Sequence, residues 1–183
     1  EKVKRYGDVP WYTKTLDTSD QEELYKPRDS RQLVMEKVME DLNFAVTNIR
    51  DTKDNSSSMV TRQVALAYKS RVALFEGTFR KYHAEAGLSS SADEFLLEAV
   101  DAAKKVMDSG MYTLYNNGSP ATDYRTLFTS ENPVNTEVML AVVYNNALRK
   151  WHNITWKFNS ATYGARWGLN KQFINTYLMA DGS

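Results

Sequence analysis

Between residues 30 and 110, apolar residues recur at alternating intervals of three and four positions, in three successive segments separated by polar stretches. This interval matches the turn of an α-helix, so the apolar residues of each segment share one helical face. Such faces are buried when one helix packs against another. The pattern therefore predicts a mainly α fold, built from three long helices in an antiparallel array.

The first of these helices is predicted to start near residue 30, where Asp29 or Ser30 can cap its free amide groups. Residues 51–58, with the sequence DTKDNSSS, consist of turn formers and end it. Its apolar face comprises Met35, Val38, Leu42, Ala45 and Ile49.

A second helix is predicted to follow Thr61, whose hydroxyl can act as its N-terminal cap. Further alanine and leucine residues widen its apolar surface almost all the way round. A helix of this kind is contacted by neighbours on several sides, so we expect it to be central. Its main apolar face comprises Val64, Tyr68, Val72, Phe75 and Phe79.

The third helix is predicted to begin with a capping box, in which Ser91 and Glu94 each bond to a backbone amide of the first turn. Gly110 stands where a left-handed residue commonly ends a helix. The apolar residues between these two signals are Leu96, Ala99, Ala103 and Val106.

The rest of the chain is less regular. We predict one domain over residues 1–183, with an irregular lead-in at 1–29, helical repeats at 30–110 and a loop and strand region at 111–183. Residues 138–144, VMLAVVY, are the best strand candidate because they are apolar and rich in β-branched side chains. A short helix is expected at about 170–179. The chain opens on Glu1 instead of Met, which favours a processed chain or a fragment.

Composition excludes several classes of function. Lys plus Arg and Asp plus Glu number 23 each, so no general positive field attracts nucleic acid, and we expect no nucleic-acid partner. The chain has no cysteine and only two histidines, His83 and His152, which is too few for a zinc site of the usual kind. We therefore expect no metal and no cofactor.

The acidic pairs do not suggest catalysis. They fall on predicted helix faces or helix starts, where carboxylates are ordinarily solvated, and nothing sets two of them across a substrate as a glycoside hydrolase requires. We predict no catalytic residues and no enzyme activity. The pairs are Glu22-Glu23, Glu40-Asp41 and Asp93-Glu94.

Residues 145–168, here called the aromatic segment, combine five large aromatic side chains with amides and arginines. Flat rings and directional donors suit the apolar faces and hydroxyl edges of a sugar, although the same mixture also fits a loop held against a core or a protein interface. As ring platforms for a ligand we predict Trp151, Trp156, Tyr163 and Trp167. As hydrogen-bonding partners we predict Arg149, Asn153 and Arg166.

A series of motifs, each short, follows one order along nearly the whole chain. They are Tyr6-Gly7-Asp8-Val9-Pro10, Pro27-Arg28-Asp29-Ser30-Arg31, Asp41-Leu42-Asn43-Phe44-Ala45, Arg71-Val72-Ala73-Leu74-Phe75-Glu76-Gly77-Thr78, Ser109-Gly110-Met111-Tyr112-Thr113-Leu114 and Tyr177-Leu178-Met179-Ala180-Asp181-Gly182. In kind and order they resemble an internal portion of the SusD/RagB family of outer-membrane nutrient-binding lipoproteins.

The resemblance implies a cell-surface protein with tetratricopeptide-like helical hairpins and a lipid anchor outside the given chain. It also implies a non-catalytic role, in which an oligosaccharide or polysaccharide is captured and delivered to a TonB-dependent, SusC-like transporter in the outer membrane. The alternative is a protein–protein interaction scaffold, in which the aromatic side chains lie at the partner interface. No fixed binding motif carries over from the family, so the seven ligand-binding residues remain a prediction from composition and position.

Overall fold

A computed structural model describes residues 1–165, 168–177, 179 and 182. These residues are mainly helical, which confirms that the fold is mainly α. The α-helices are α1 (Lys2–Tyr6), α2 (Gln21–Leu24), α3 (Arg31–Asn48), α4 (Arg62–Tyr82), α5 (Ala92–Asp108), α6 (Pro120–Thr129), α7 (Ile154–Asn159) and α8 (Lys171–Ile174). Two 3-10 turns, Ala84–Ala86 and Ser89–Ser91, connect α4 to α5.

Internal contacts divide the chain into two compact units, Glu1–Val142 and Val143–Ser183, which are described separately. The first unit contains α1 to α6 and the second contains α7 and α8. The single domain over residues 1–183 stays a prediction.

The three long helices form where the apolar intervals predict them. The Ser30 hydroxyl accepts the Leu33 amide at 3.2 Å and so caps α3. The Thr61 hydroxyl accepts the Val64 amide at 3.5 Å at the start of α4. After α5, Gly110 takes the left-handed conformation with φ 62°, as the helix-end signal predicts. Local sequence signals therefore fix both the positions and most of the ends of these helices.

The predicted capping box at the start of α5 is wrong. Ser91 makes no capping hydrogen bond. Its hydroxyl donates to the Leu88 carbonyl at 2.9 Å and accepts from Nη1 of Arg80 at 2.6 Å. A buried guanidinium without an acceptor is costly, and here it takes the Ser91 oxygen that a capping hydrogen bond would use.

Helix α4 is central, as expected, because it packs against both α3 and α5. Two alanines, Ala73 on α4 and Ala102 on α5, are completely buried in this layer. The face of α4 that is most deeply buried differs from the predicted apolar face, since Tyr68 is 58% exposed. Alongside Ala65, Leu66, Ala73 and Gly77, the buried face carries Gln63, Lys69, Glu76 and Arg80.

The lead-in is partly ordered by the core. Val9 and Asp29 form an antiparallel bridge, and the Asp29 carboxylate accepts the Trp11 amide at 2.7 Å. Trp11 packs against the core cluster, to which α3, α4 and α5 all contribute. The short helices α1 and α2 lie in this region, where an irregular chain was expected.

The strand predicted at residues 138–144 does not form. Within the described residues this segment has no neighbouring strand, and its backbone bonds to the loop after α3. The Ala141 amide donates to the Ser57 carbonyl at 2.7 Å, and the Ser57 hydroxyl donates to the Val138 carbonyl at 2.7 Å. A segment rich in β-branched residues forms a strand only when another strand pairs with it. Here the buried Ser57 bonds to the segment in place of a second strand.

The predicted C-terminal helix at about 170–179 is shorter in the structure. Helix α8 comprises only Lys171–Ile174 and is capped by Asn170, whose side chain accepts the Gln172 amide at 2.8 Å. Leu178, which belongs to the predicted helix, and Ala180 and Asp181, which belong to the final sequence motif, lie outside the described residues. Among the helices that the structure describes, none has both the length and the apolar character needed to cross a membrane.

Candidate functional site

The aromatic segment begins with a tight turn. Asn145 and Lys150 form an antiparallel bridge in which each amide donates to the other's carbonyl at 3.0 Å. Inside the bridge, the Arg149 amide donates to the Asn146 carbonyl at 3.1 Å. The Leu148 amide donates to the side-chain oxygen of Asn145 at 3.0 Å. Asparagine side chains stabilise turns in this way, so the two asparagines define the shape of the loop.

Trp151 follows this turn directly and is fastened to it. Its indole N–H donates to Oδ1 of Asn146 at 2.8 Å. The residue is nevertheless 65% exposed. The polar atom of the indole is thus satisfied within the turn, while most of the apolar ring faces solvent.

Arg149 lies in the left-handed region, with φ 52°. Arginine rarely adopts this conformation, because its Cβ then approaches the backbone too closely. The residue is exposed, so no surrounding core imposes the conformation. The bridge and the turn hydrogen bonds on both sides of Arg149 hold its backbone in place.

Asn153 precedes the short helix α7, but its side chain makes no capping hydrogen bond. Its carbonyl accepts the Lys157 amide at 3.0 Å. Trp156, in the first turn of α7, is 56% exposed. An exposed amide and an exposed indole therefore lie within one helical turn.

Tyr163 lies in the turn after α7 and is 80% exposed. Its amide donates to the Ser160 hydroxyl at 3.1 Å. The adjacent Gly164 donates its amide to the Ser160 carbonyl at 3.2 Å. A Cβ at Gly164 would come within 2.6 Å of the Lys157 carbonyl oxygen, so only glycine fits where the chain closes on α7.

His152, the histidine of the aromatic segment, is engaged within the second unit. Its ring meets that of Tyr144 edge to face, with centroids 5.1 Å apart. Its Nδ1 accepts the Ile154 amide at 3.3 Å, which requires that nitrogen to be unprotonated. These contacts give His152 a local structural role.

The seven predicted ligand-binding residues are thus placed unequally. Arg149, Trp151, Asn153, Trp156 and Tyr163 are all exposed, and Arg166 and Trp167 lie outside the described residues. Among the described residues, no ring contact joins Trp151, Trp156 and Tyr163. Their convergence on one ligand stays a prediction.

Sequence patterns did not indicate the buried charged cluster in the first unit. Glu76 is fully buried and bonds to two arginines, Arg31 and Arg80. The guanidinium of Arg31 lies 3.5 Å from the centroid of the Phe79 ring, and that of Arg80 lies 4.2 Å from the Phe95 centroid. The available signal was the presence of charged residues, Glu76 among them, in the helix predicted to be central.

The first unit also carries two grooves. One, of about 320 Å³, lies between α3 and α5 with Arg80 of α4 among its lining residues. It is called the acidic groove here because four glutamates line it: Glu36, Glu40, Glu94 and Glu98.

The second groove, of about 460 Å³, is mostly apolar and is called the apolar groove. It lies between α4, α6 and the segment at 137–140. Tyr68 and Phe128 line it and are exposed, and Arg71 and Glu137 are its charged lining residues. Phe128 also contacts the ring of Tyr124, with centroids 4.8 Å apart.

Over the part of the chain that the structure describes, no cluster of three or more His, Cys, Asp or Glu residues could hold a metal ion. Comparisons with protein-family models, with curated proteins and with solved structures give no match to this chain.

Proposed function

We propose that this protein binds glycans without catalysing a reaction, and that the aromatic segment carries the site. The observation that supports this most directly is Trp151, whose indole N–H bonds to Asn146 while the ring stays 65% exposed. A ring fixed in this way loses little conformational freedom when it meets a ligand. Its accessible surface is the apolar face that stacks against sugar C–H groups.

The polar side chains near Trp151 suit the rest of a sugar. Arg149 and Asn153 are exposed and lie within two residues of Trp151. A guanidinium donates to hydroxyl oxygens, and a side-chain amide both donates and accepts. Trp156 and Tyr163 offer further exposed rings for a longer oligosaccharide. Recognition of this kind is reversible and involves no bond making.

The wider proposal rests on the resemblance of the sequence motifs to the SusD/RagB family. In it, the helices α3 to α5 are a tetratricopeptide-like scaffold on the cell surface, anchored by a lipid outside the given chain. The captured glycan passes to a TonB-dependent transporter in the outer membrane. The exposed aromatic segment would then be the part that selects the nutrient.

The test is a titration of the chain against a panel of oligosaccharides and polysaccharides, followed by tryptophan fluorescence and calorimetry. We expect saturable binding to one glycan class with no product formed. Trp151→Ala should weaken that binding at least tenfold, since stacking and pre-organisation are both lost. The matched control is Tyr82→Ala, which removes an exposed aromatic side chain from the end of α4 and should leave the affinity unchanged.

Equal loss of affinity in both variants would show that binding does not depend on the aromatic segment. Retention of full affinity by Trp151→Ala, with the fold intact by circular dichroism, would remove the proposed site. Release of reducing ends during incubation would contradict the non-catalytic role.

The apolar groove favours a second candidate function, that of an interaction scaffold. Tyr68 and Phe128 are large, exposed and line the same groove, as aromatic side chains do in the centres of protein interfaces. If this function is the right one, Tyr68→Ala should abolish co-purification with the transporter, whereas Tyr82→Ala should not. A chain that ignores every glycan but changes its tryptophan fluorescence with the transporter would favour the scaffold over glycan capture.

A further inference from the structure

Two of the four carboxylates of the acidic groove form no direct ion pair among the described residues. Glu40 pairs with Lys37 at 2.8 Å, and Glu98 pairs with Lys69. Glu36, on α3, receives only a side-chain amide hydrogen bond, from Gln32 at 3.0 Å. Neither Glu36 nor Glu94 of α5 forms a salt bridge within the described residues. The groove therefore presents, from the helices on both of its sides, carboxylates that no direct ion pair neutralises, and Glu36 has only a longer-range attraction to Lys37.

Arg80, which also lines the groove, belongs to a cluster with an excess of positive charge. It is almost completely buried and shares the single carboxylate of Glu76 with Arg31. Its Nε donates to Glu76 at 2.8 Å and its Nη1 donates to Ser91 at 2.6 Å. Its Nη2 is buried and has no hydrogen-bond partner in the described part of the chain. The cluster thus carries one excess positive charge and one unused donor.

These two imbalances restrict the chemistry of a ligand. A simple anion would accept from Arg80 but would be repelled by Glu36 and Glu94. A simple cation would pair with the glutamates but would leave the buried N–H of Arg80 unsatisfied, which is costly. An uncharged polyol could bond to both sides, yet it would leave both excess charges unpaired.

We propose that the acidic groove binds a small zwitterion with a carboxylate beside an ammonium group, which is the chemistry of a free α-amino acid. The ligand carboxylate takes the free donor of Arg80, and the ammonium group lies between Glu36 and Glu94. Both contacts are charge-assisted hydrogen bonds, which are the strong class. The volume of about 320 Å³ suits a ligand of this size. The site is independent of the proposed glycan site, because all of its lining residues belong to the first unit.

The first experiment titrates the intact chain with each of the twenty free L-amino acids, using calorimetry and amide chemical shifts in two-dimensional NMR. We expect at least one to bind with a dissociation constant of about 1 mM or below. For that amino acid, the carboxamide analogue and the analogue without the amino group should each bind at least tenfold more weakly. Equal binding of either analogue, or no binding of any amino acid, would overturn the proposal.

The second experiment places the ligand in the groove. Glu36→Gln combined with Glu94→Gln should weaken binding at least tenfold, since both partners of the ammonium group lose their charge. The matched control is Asp41→Asn combined with Asp93→Asn, which removes the same charge from exposed positions of α3 and α5 outside the groove lining. An equal loss in both double variants, or no loss in the first, would show that the amino acid does not bind in this groove.

Discussion

Arg31, the first residue of α3, and Glu76, in the middle of α4, form a buried ion pair with two-point geometry. Nη2 of Arg31 lies 2.7 Å from Oε2 of Glu76, and Nε lies 3.1 Å from both carboxylate oxygens. Glu76 is fully buried, and the arginine is nearly so. A guanidinium and a carboxylate match in this way only at one distance and angle, so the pair defines how α3 sits on α4.

Replacing Glu76 with Gln should destabilise the first unit by about 3–5 kcal/mol, because Arg31 and Arg80 then share no counter-charge in the interior. The measurement is the free energy of unfolding from urea denaturation. The matched control is Glu85→Gln, which alters an exposed carboxylate paired with His83 and should change the free energy far less, because solvent screens the pair. Similar small effects for both variants would mean that the buried pair does not hold the helices together.

Gly77→Ala should destabilise the protein by about 1–3 kcal/mol, although alanine is the better helix former. The new methyl group would lie 2.8 Å from Cγ of Leu96 and 3.0 Å from its backbone nitrogen. The backbone of α5 cannot yield as a flexible side chain can, so the two helices must separate.

Leu96→Ala offers a test of that cause. Leu96→Ala alone should lower the free energy of unfolding as the truncation of a partly buried leucine does. The double variant with Gly77→Ala should lose less free energy of unfolding than the sum of the two single changes. The measurement is a double-mutant cycle from urea unfolding curves. A strictly additive result would show that the contact with Leu96 is not what makes glycine necessary at this position.

The existence of α3, α4 and α5 follows from the apolar interval, but the face that α4 buries does not. Its predicted apolar face includes Tyr68, which is exposed, while Lys69, Glu76 and Arg80 are buried on a neighbouring face. A hydropathy pattern places charges outside, and only pairing across helices makes burial favourable for them. That pairing joins residues as far apart as 31 and 76, which a local pattern does not contain.

The sequence alone proposes where the candidate site lies, because its aromatic and amide content is a property of composition. Its geometry could not. The bond between Trp151 and Asn146 depends on a turn whose left-handed residue is Arg149, and arginine is not a residue that predicts such a turn. The strand expected at 138–144 failed for a related reason, since composition cannot supply the missing neighbouring strand.

Asp54 should make stability depend on pH in the acid range. Partial desolvation would raise the pKa of this carboxyl group, but hydrogen bonds from the Met59 amide, the Ser56 hydroxyl and the Ser58 amide outweigh it and lower the pKa to about 2. A group whose pKa is lowered in the folded state contributes stability at pH values above its pKa in the unfolded state, which is about 3.9. That contribution is lost as the pH falls from about 4 through about 2.

The measurement compares the unfolding free energies of the wild type and Asp54→Asn between pH 2 and pH 7. The difference should be constant above about pH 5 and should shrink steadily below about pH 4. Asp41→Asn, at an exposed position on α3, provides the control and should show no such narrowing. A difference between wild type and Asp54→Asn that stays unchanged down to pH 2 would show that the hydrogen bonds to Asp54 do not stabilise its charged form.

Arg149 allows the backbone and the side chain to be tested separately. Its φ of 52° is unfavourable for any residue with a Cβ, by roughly 1–2 kcal/mol, and free of steric cost for glycine. Arg149→Gly should therefore leave the second unit about 1 kcal/mol more stable than Arg149→Ala does. Both changes remove the guanidinium and should weaken glycan binding by similar factors.

Hydrogen exchange of the Lys150 amide reports the stability of the turn, and calorimetry reports the binding. If Arg149→Gly bound as tightly as wild type while Arg149→Ala did not, the backbone of the turn, and not the guanidinium, would be what the ligand requires.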